Sequence, residues 1–292
     1  MNFQIAAVLF IVAMLAGAVN SVAGGGTLLT FPTLLWVLDH NGLVANATST
    51  VALWPGQLSS LFGYRKEIGR NRDTIALMAL PSLIGGGIGA MLLLHTTSRV
   101  FARIVPFLIL LATILFMLQE PISRYLKRKT PVSPPGEAAQ GAAAIIAGEP
   151  GHSALPGERP AMRSLQVVFF QLLVAVYGGY FGAGIGILML AALGFLGFSN
   201  IHTMNGVKNI NGLCINAVAI SLFVFGHTLP GNGVGPHHDS LIQWPIAALM
   251  TAGSIVGGYT GAGVARRIGQ KNVRSIIIFI GFALTLSLLI KR

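Results

Sequence analysis

A chain of 292 residues with 19 Lys and Arg, 8 Asp and Glu and 9% charged side chains falls far below the roughly one quarter of a soluble domain. With 53% hydrophobic residues and a mean hydropathy of +0.74, it holds more apolar material than one water-soluble core needs, which argues against a cytosolic enzyme. The net charge of +11 sits in short Lys/Arg clusters beside apolar segments, with no basic stripe or interleaved aromatics, so it reads as membrane anchoring and not as nucleic-acid binding.

The first predicted span covers 3–23. MNFQ lacks the basic start of a signal peptide, and the apolar character runs past residue 38 with no cleavage site, so this span is expected to stay in the protein. It ends at Gly24-Gly25-Gly26, after which a short apolar run, 27–38, is long enough for only about half a bilayer at about 1.5 Å per residue. Spans at 43–63, 73–95 and 99–118 follow. Between Met1 and Tyr64 the only ionised side chain is Asp39. Residues 119–163 then hold seven of the fourteen prolines and ten of the 27 charged residues, and are expected to form a cytoplasmic linker.

A second group of spans follows at 164–181, 203–225, 241–264 and 272–290, with another short run, 187–198, after Gly182-Ala183-Gly184-Ile185-Gly186. Here Lys208 is the only ionised side chain between Ser164 and Phe225. Sliding residues 23–38 forward by 160 sets Ala23, Gly24, Gly26 and Leu28 on Ala183, Gly184, Gly186 and Leu188. Sliding the third span by 172 sets Gly85-Gly86 and Gly89-Ala90 on Gly257-Gly258 and Gly261-Ala262. The expected organisation is two homologous repeats, 1–118 and 164–292, joined by the linker.

The loop after the first 43–63 span carries Arg65, Lys66, Arg70 and Arg72, whereas its counterpart, 226–240, has no Lys or Arg. The turn at 96–103 has only Arg99 and Arg103, against Arg266, Arg267, Lys271 and Arg274 in its counterpart. This reversal of bias points to an inverted repeat, with each glycine break turning the chain to give five crossings per copy; Lys291-Arg292 runs against it, and a parallel arrangement of four plus four spans stays open. The fold class expected is an all-α polytopic membrane protein, each repeat holding a glycine-broken helix.

A helix break at membrane depth survives only where protein or a water-filled cavity answers its freed N–H and C=O groups, and its N-terminal half-helix suits an anion. Glycine pairs such as Gly85/Gly89, Gly257/Gly261 and Gly178/Gly182 read instead as close helix packing. Gly24, Gly25, Gly26 and Thr27 in the first break, and Gly184 and Gly186 in the second, are candidate substrate contacts through backbone N–H groups. Asn46, Thr48 and Ser49 at the start of 43–63, and Asn205, Lys208, Asn209 and Asn211 at the start of 203–225, add donors and one cation. An ammonium in an apolar stretch must snorkel, pair or meet a substrate, and the one acidic residue of its own copy, Asp239, lies in the separate 226–240 loop.

His227, His237 and His238 share one loop and are a rival, metal-binding reading, although adjacent histidines with only Asp239 nearby are a poor ligand set. The lone Cys214 excludes a disulfide within the chain and reads as a small core residue, and Trp36, Trp54 and Trp244 read as interfacial anchors. The sequence has no GxSxG, HExxH or P-loop motif, so no enzyme activity and no cofactor are expected, and transport would be passive or driven by an ion gradient.

NSVAGGGTLLTFPTLLWV followed by NATSTVAL, then GGYFGAGIGILMLAALGFLG followed by NGVKNINGLCINA, with the later GGYTGAGVARRI, resembles the TauE/SafE family of membrane permeases, the sulfite exporter-like group. The second motif departs from the family pattern at Ile185 and at Val207-Lys208. The resemblance implies a bacterial inner-membrane transporter for sulfite, sulfonates or related small anions, with a proton or another ion as coupling partner. A carrier for a metal ion or another solute, and a non-transporting scaffold, are the alternatives.

Overall fold

The computed structural model describes residues 2–22, 24–39, 41–62, 65–70, 72–129, 160–195, 201–225, 241–268, 278–279, 281–283, 285–288 and 290. Every regular element among them is helical. In chain order these are α1 (Phe3–Val22), α2 (Thr27–Val37), α3 (Gly42–Leu61), α4 (Arg65–Arg70), α5 (Arg72–Leu94) and α6 (Ser98–Lys129), then α7 (Pro160–Tyr180), α8 (Ile185–Phe195), α9 (Ile201–Phe225) and α10 (Trp244–Ile268). The described residues of 278–290 are helical as well.

Local chemistry accounts for the boundaries. The Asn41 side chain accepts a hydrogen bond from the Val44 N–H at 3.4 Å and caps α3, and the Thr97 hydroxyl does the same for Val100 ahead of α6. The expected end of the fourth span at 118 is where hydropathy falls, but α6 continues to Lys129. Gln119, Glu120, Arg124 and Lys127 are competent helix formers, and the Pro131, Pro134 and Pro135 cluster comes only later. Likewise α7 opens at Pro160, where proline suits the first helical position, four residues before the apolar run. Of the expected linker, 130–159 lies outside the described residues. The six-residue α4 had no counterpart among the expected spans.

The packing is inside out relative to a water-soluble bundle. Ile84, Ile88 and Leu92 on α5, Leu165, Phe169 and Leu173 on α7, and Phe107 and Leu111 on α6 are exposed, while Asn46, Thr48, Ser49, Ser82, Gln171, Lys208 and Asn211 are buried. Lipid is the solvent that such a surface matches, and interior polar groups then find partners across helices. By length and composition, four helical segments among the described residues can cross a membrane: Phe3–Ser21, Arg72–Leu94, Ser98–Leu115 and Thr203–Phe225.

The closest helix approaches come in matching pairs. α1 lies along α10 and α5 along α7, while α3 packs on α10 and α9 on α5. In the first seam a Cβ on Gly257 would fall on the Met14 carbonyl oxygen; in the second, a Cβ on Gly85 would sit 2.7 Å from the Leu172 carbonyl oxygen. A Cβ on Gly258 would meet the Gly56 carbonyl oxygen, and one on Gly86 would lie 2.9 Å from that of Ile215. These contacts exchange, to within a turn, under the offsets of 160 and 172. Trp54 donates from Nε1 to the Leu213 carbonyl at 3.1 Å and ties α3 to α9; Trp36 and Trp244 are exposed.

Candidate functional site

The first break follows α1. Gly24 has φ +72° and Gly25 φ +114°, conformations that side chains with a Cβ rarely adopt. The chain itself answers the amides freed there. Gly24 N–H donates to the Val19 carbonyl at 3.1 Å, and Gly25 and Gly26 N–H both donate to Asn20 Oδ1 at 3.0 Å. The amides that the sequence reading offers to a substrate are thus bonded within the chain in this structure, two of them to the Asn20 carboxamide. Thr27 opens α2 and is half-buried. Removing the acceptor in Asn20→Ala strands two amides, which at about 1–3 kcal/mol for an unmet buried group should lower the melting midpoint of the detergent-purified protein by several degrees.

The second break, between α7 and α8, is answered the other way round. Its carbonyls meet donors, the Tyr177 hydroxyl reaching the Ala183 carbonyl at 2.6 Å and Asn46 Nδ2 the Tyr180 carbonyl at 3.0 Å. The amides of Ala183, Gly184 and Gly186 are buried and have no hydrogen-bond partner among the described residues. The two breaks touch: a Cβ on Gly24 would lie 2.7 Å from the Gly186 Cα. An edge-to-face contact of Phe31 with Phe181, centroids 5.2 Å apart, packs α2 onto the second break.

Lys208 on α9 is 4% exposed, and its Nζ donates to the Asn20 carbonyl at 3.2 Å. Among the described residues it has no carboxylate partner. One turn earlier, the buried Asn205 leaves its Oδ1 unmet, as does Asn46 beside the second break. The remaining sequence-predicted residues are drawn into helix-to-helix bonds. Ser49 Oγ and Thr30 Oγ1 are 2.6 Å apart, linking α3 to α2. Thr48 Oγ1 accepts from the Gln243 N–H at 3.1 Å, just ahead of α10. Asn209 Nδ2 donates to Ser60 Oγ at 3.3 Å. Asn211 faces away toward α5 and α7: its Nδ2 donates to the Val207 carbonyl at 3.0 Å and its Oδ1 accepts from Ser82 Oγ at 3.1 Å, while Gln171 Nε2 donates to Ser82 Oγ at 2.8 Å.

The structure thus gathers Gly24, Gly25, Gly26, Gly184, Gly186, Asn46 and Lys208 around the meeting breaks and leaves Thr48, Ser49 and Asn211 bonded elsewhere. Sequence reasoning passed over Asn20 and Tyr177. A lone carboxamide five residues before Gly25, inside an apolar span, was the available signal. Among the described residues no group of three or more His, Cys, Asp or Glu could hold a metal ion, and His227, His237 and His238 lie outside them.

Apolar side chains outside, bonded polar side chains inside, and two broken helices meeting at a buried cation define a polytopic membrane protein organised around its polar interior. The sequence model of the family described as sulfite exporter TauE/SafE matches residues 9–288. The chain belongs to this family of membrane transporters. It is 24% identical over 289 residues to a probable membrane transporter protein of Haemophilus influenzae, covering 97% of this chain and 94% of the relative. It is 26% identical over 296 residues to the probable membrane transporter protein ORF9 of a Sinorhizobium species, covering 98% and 93%. It is 25% identical over 294 residues to the probable membrane transporter protein YfcA of Escherichia coli K12, covering 97% and 88%. No solved structure matches.

Proposed function

We propose that this transporter is a permease for a small sulfur-containing anion, sulfite or an organosulfonate, in the bacterial inner membrane. One observation carries the reading: the ammonium of Lys208 is buried beside the paired breaks with no carboxylate among the described residues to balance it. Burying a lone charge costs several kcal/mol in roughly any apolar setting, and an anionic substrate offsets that cost when it binds. The free amides of Ala183, Gly184 and Gly186 add donors of the kind that suit oxyanion oxygens. With Gly25 and Gly26 already bonded to Asn20, the substrate contacts fall to Lys208 and the second break, with Asn46 and Asn205 at its edge.

In this reading the chain is two repeats, 1–118 and 164–292, and the exchange of α1–α10 with α5–α7 supports their two-fold relation; the inverted topology proposed rests on the reversed loop charges. The sequence contains no P-loop, so an ion gradient is the energy source proposed. The test is thermal unfolding of the detergent-purified protein against sulfite, sulfate, sulfoacetate, taurine, short carboxylates, Ni²⁺ and Zn²⁺ at matched ionic strength. A ligand that binds only the folded state raises the midpoint. A shift with sulfite or sulfoacetate, absent with the metals, is expected; a shift with metal ions alone contradicts the anion reading.

A further inference from the structure

Gly212 lies one turn beyond Lys208 on α9 and is buried, yet among the described residues a methyl group added there would meet no atom within 4 Å outside the backbone of its own helix turn. The other glycines buried in helix seams behave in the opposite way: Gly56, Gly86 and Gly258 each place a Cβ onto a neighbouring backbone. Close packing therefore gives no reason for glycine at 212. In a well-packed interior such room is uncommon, and glycine is also the poorer helix former by about 1 kcal/mol against alanine.

The position of this room is defined by its neighbours. At helical spacing Gly212 stacks on Lys208 and beneath Asn216, with Asn209 and Asn205 on the same side of α9. That side faces polar groups of α1 and α3: Lys208 Nζ reaches the Asn20 carbonyl, Asn209 Nδ2 reaches Ser60 Oγ, and Asn216 Nδ2 donates to Gln57 Oε1 at 3.0 Å. The opening thus lies between α9, α3 and α1, beside a buried cation and among carboxamides and a hydroxyl. The Lys208 ammonium has three donors and one hydrogen bond within the protein, so a small anion there finds a donor, whereas an apolar lipid tail would leave that capacity unused.

We propose that Gly212 sets the size of the anion this transporter accepts, by keeping open the volume next to Lys208 into which the part of the substrate beyond its charged head extends. The proposal rests on the anion-permease reading above. A side chain grown from residue 212 enters that volume without disturbing a helix seam, so it removes long substrates first and short ones later.

The test is a series, Gly212→Ala and Gly212→Leu, in the full-length purified protein, with sulfite as the short probe and sulfoacetate as the long one. Melting midpoints without ligand and affinities by titration calorimetry are measured for each. Both variants are expected to fold, with the Gly212→Ala midpoint equal to or above that of the wild type. Gly212→Ala should keep sulfite affinity while weakening sulfoacetate about tenfold, and Gly212→Leu should weaken both by about tenfold or more, each tenfold corresponding to about 1.4 kcal/mol. Unchanged affinity for both anions in Gly212→Leu overturns the proposal alone, as does failure of Gly212→Ala to fold, since that would mean no room exists. A wild-type protein that binds neither anion defeats the underlying anion reading instead.

Discussion

Replacing Lys208 with methionine should reduce sulfite or sulfonate affinity by about ten- to a hundredfold while leaving the fold intact, because a hydrogen bond from a charged group contributes about 1.5–3 kcal/mol. Methionine keeps most of the length and loses the charge. Within the protein, Lys208 makes one recorded hydrogen bond, to the Asn20 carbonyl, and no ion pair among the described residues. The folded state without substrate therefore gains little from the ammonium and bears its desolvation. The melting midpoint of Lys208→Met should match or exceed that of the wild type, and the rise on adding anion should be lost. If the variant instead unfolds and the residual folded fraction binds normally, Lys208 is a structural residue of the α1–α9 contact. Calorimetric titration and thermal unfolding on the same preparation separate the two.

The largest expected effect on stability is at Gly257. Any Cβ there would occupy the position of the Met14 carbonyl oxygen, and the Ala18 amide lies 3.0 Å away, so neither neighbour is a side chain that could rotate aside. Gly257→Ala forces α1 from α10 at a cost of about 1–3 kcal/mol, and Gly257→Leu exceeds what a seam of backbone contacts absorbs. Against a total stability of about 5–15 kcal/mol, the leucine variant should give little or no monodisperse protein on size exclusion, and the alanine variant a clearly lowered midpoint. Gly69 on α4 is the internal control. Among the described residues nothing outside its own helix turn lies within 4 Å of a Cβ placed there, so Gly69→Ala should behave as wild type.

Much of the architecture could be read from the chain because the membrane reduces it to apolar length and punctuation. The runs 3–23, 43–63 and 73–95 correspond to α1, α3 and α5 within a few residues, and the clusters at Gly24–Gly26 and Gly182–Gly186 fall at the positive-φ turns. Lys208 stands out as the single charge in a long apolar stretch, where snorkelling and a buried contact are both open from sequence; in the structure it is buried. The fourth apolar span, 99–118, matches the membrane-length stretch Ser98–Leu115, while the helix that carries it runs on to Lys129, because falling hydropathy marks the edge of lipid and not the end of a helix.

The partners of the polar residues were much less legible. Thr48, Ser49 and Asn211 look like equal candidates in sequence, since a hydroxyl or carboxamide in an apolar span must bond to something. Which group it finds depends on the helix opposite, and Gln243 for Thr48 lies far along the chain. Asn20 was missed for the same reason. Its role follows from a five- and six-residue reach back from Gly25 and Gly26, visible only once the turn has formed. Gly212 resembles every other helical glycine until the surrounding space is known.

The most direct measurement is uptake of radiolabelled sulfite into proteoliposomes containing the purified wild-type protein, with Lys208→Met alongside and an imposed proton gradient as the variable. Saturable flux above protein-free vesicles, inhibited by excess unlabelled sulfite or sulfoacetate and reduced at least about tenfold in Lys208→Met, is the expected result. Equal flux in the variant and the wild type, or no flux of any tested sulfur anion in vesicles whose protein is shown to be folded, would contradict an anion site built on Lys208 and the paired helix breaks.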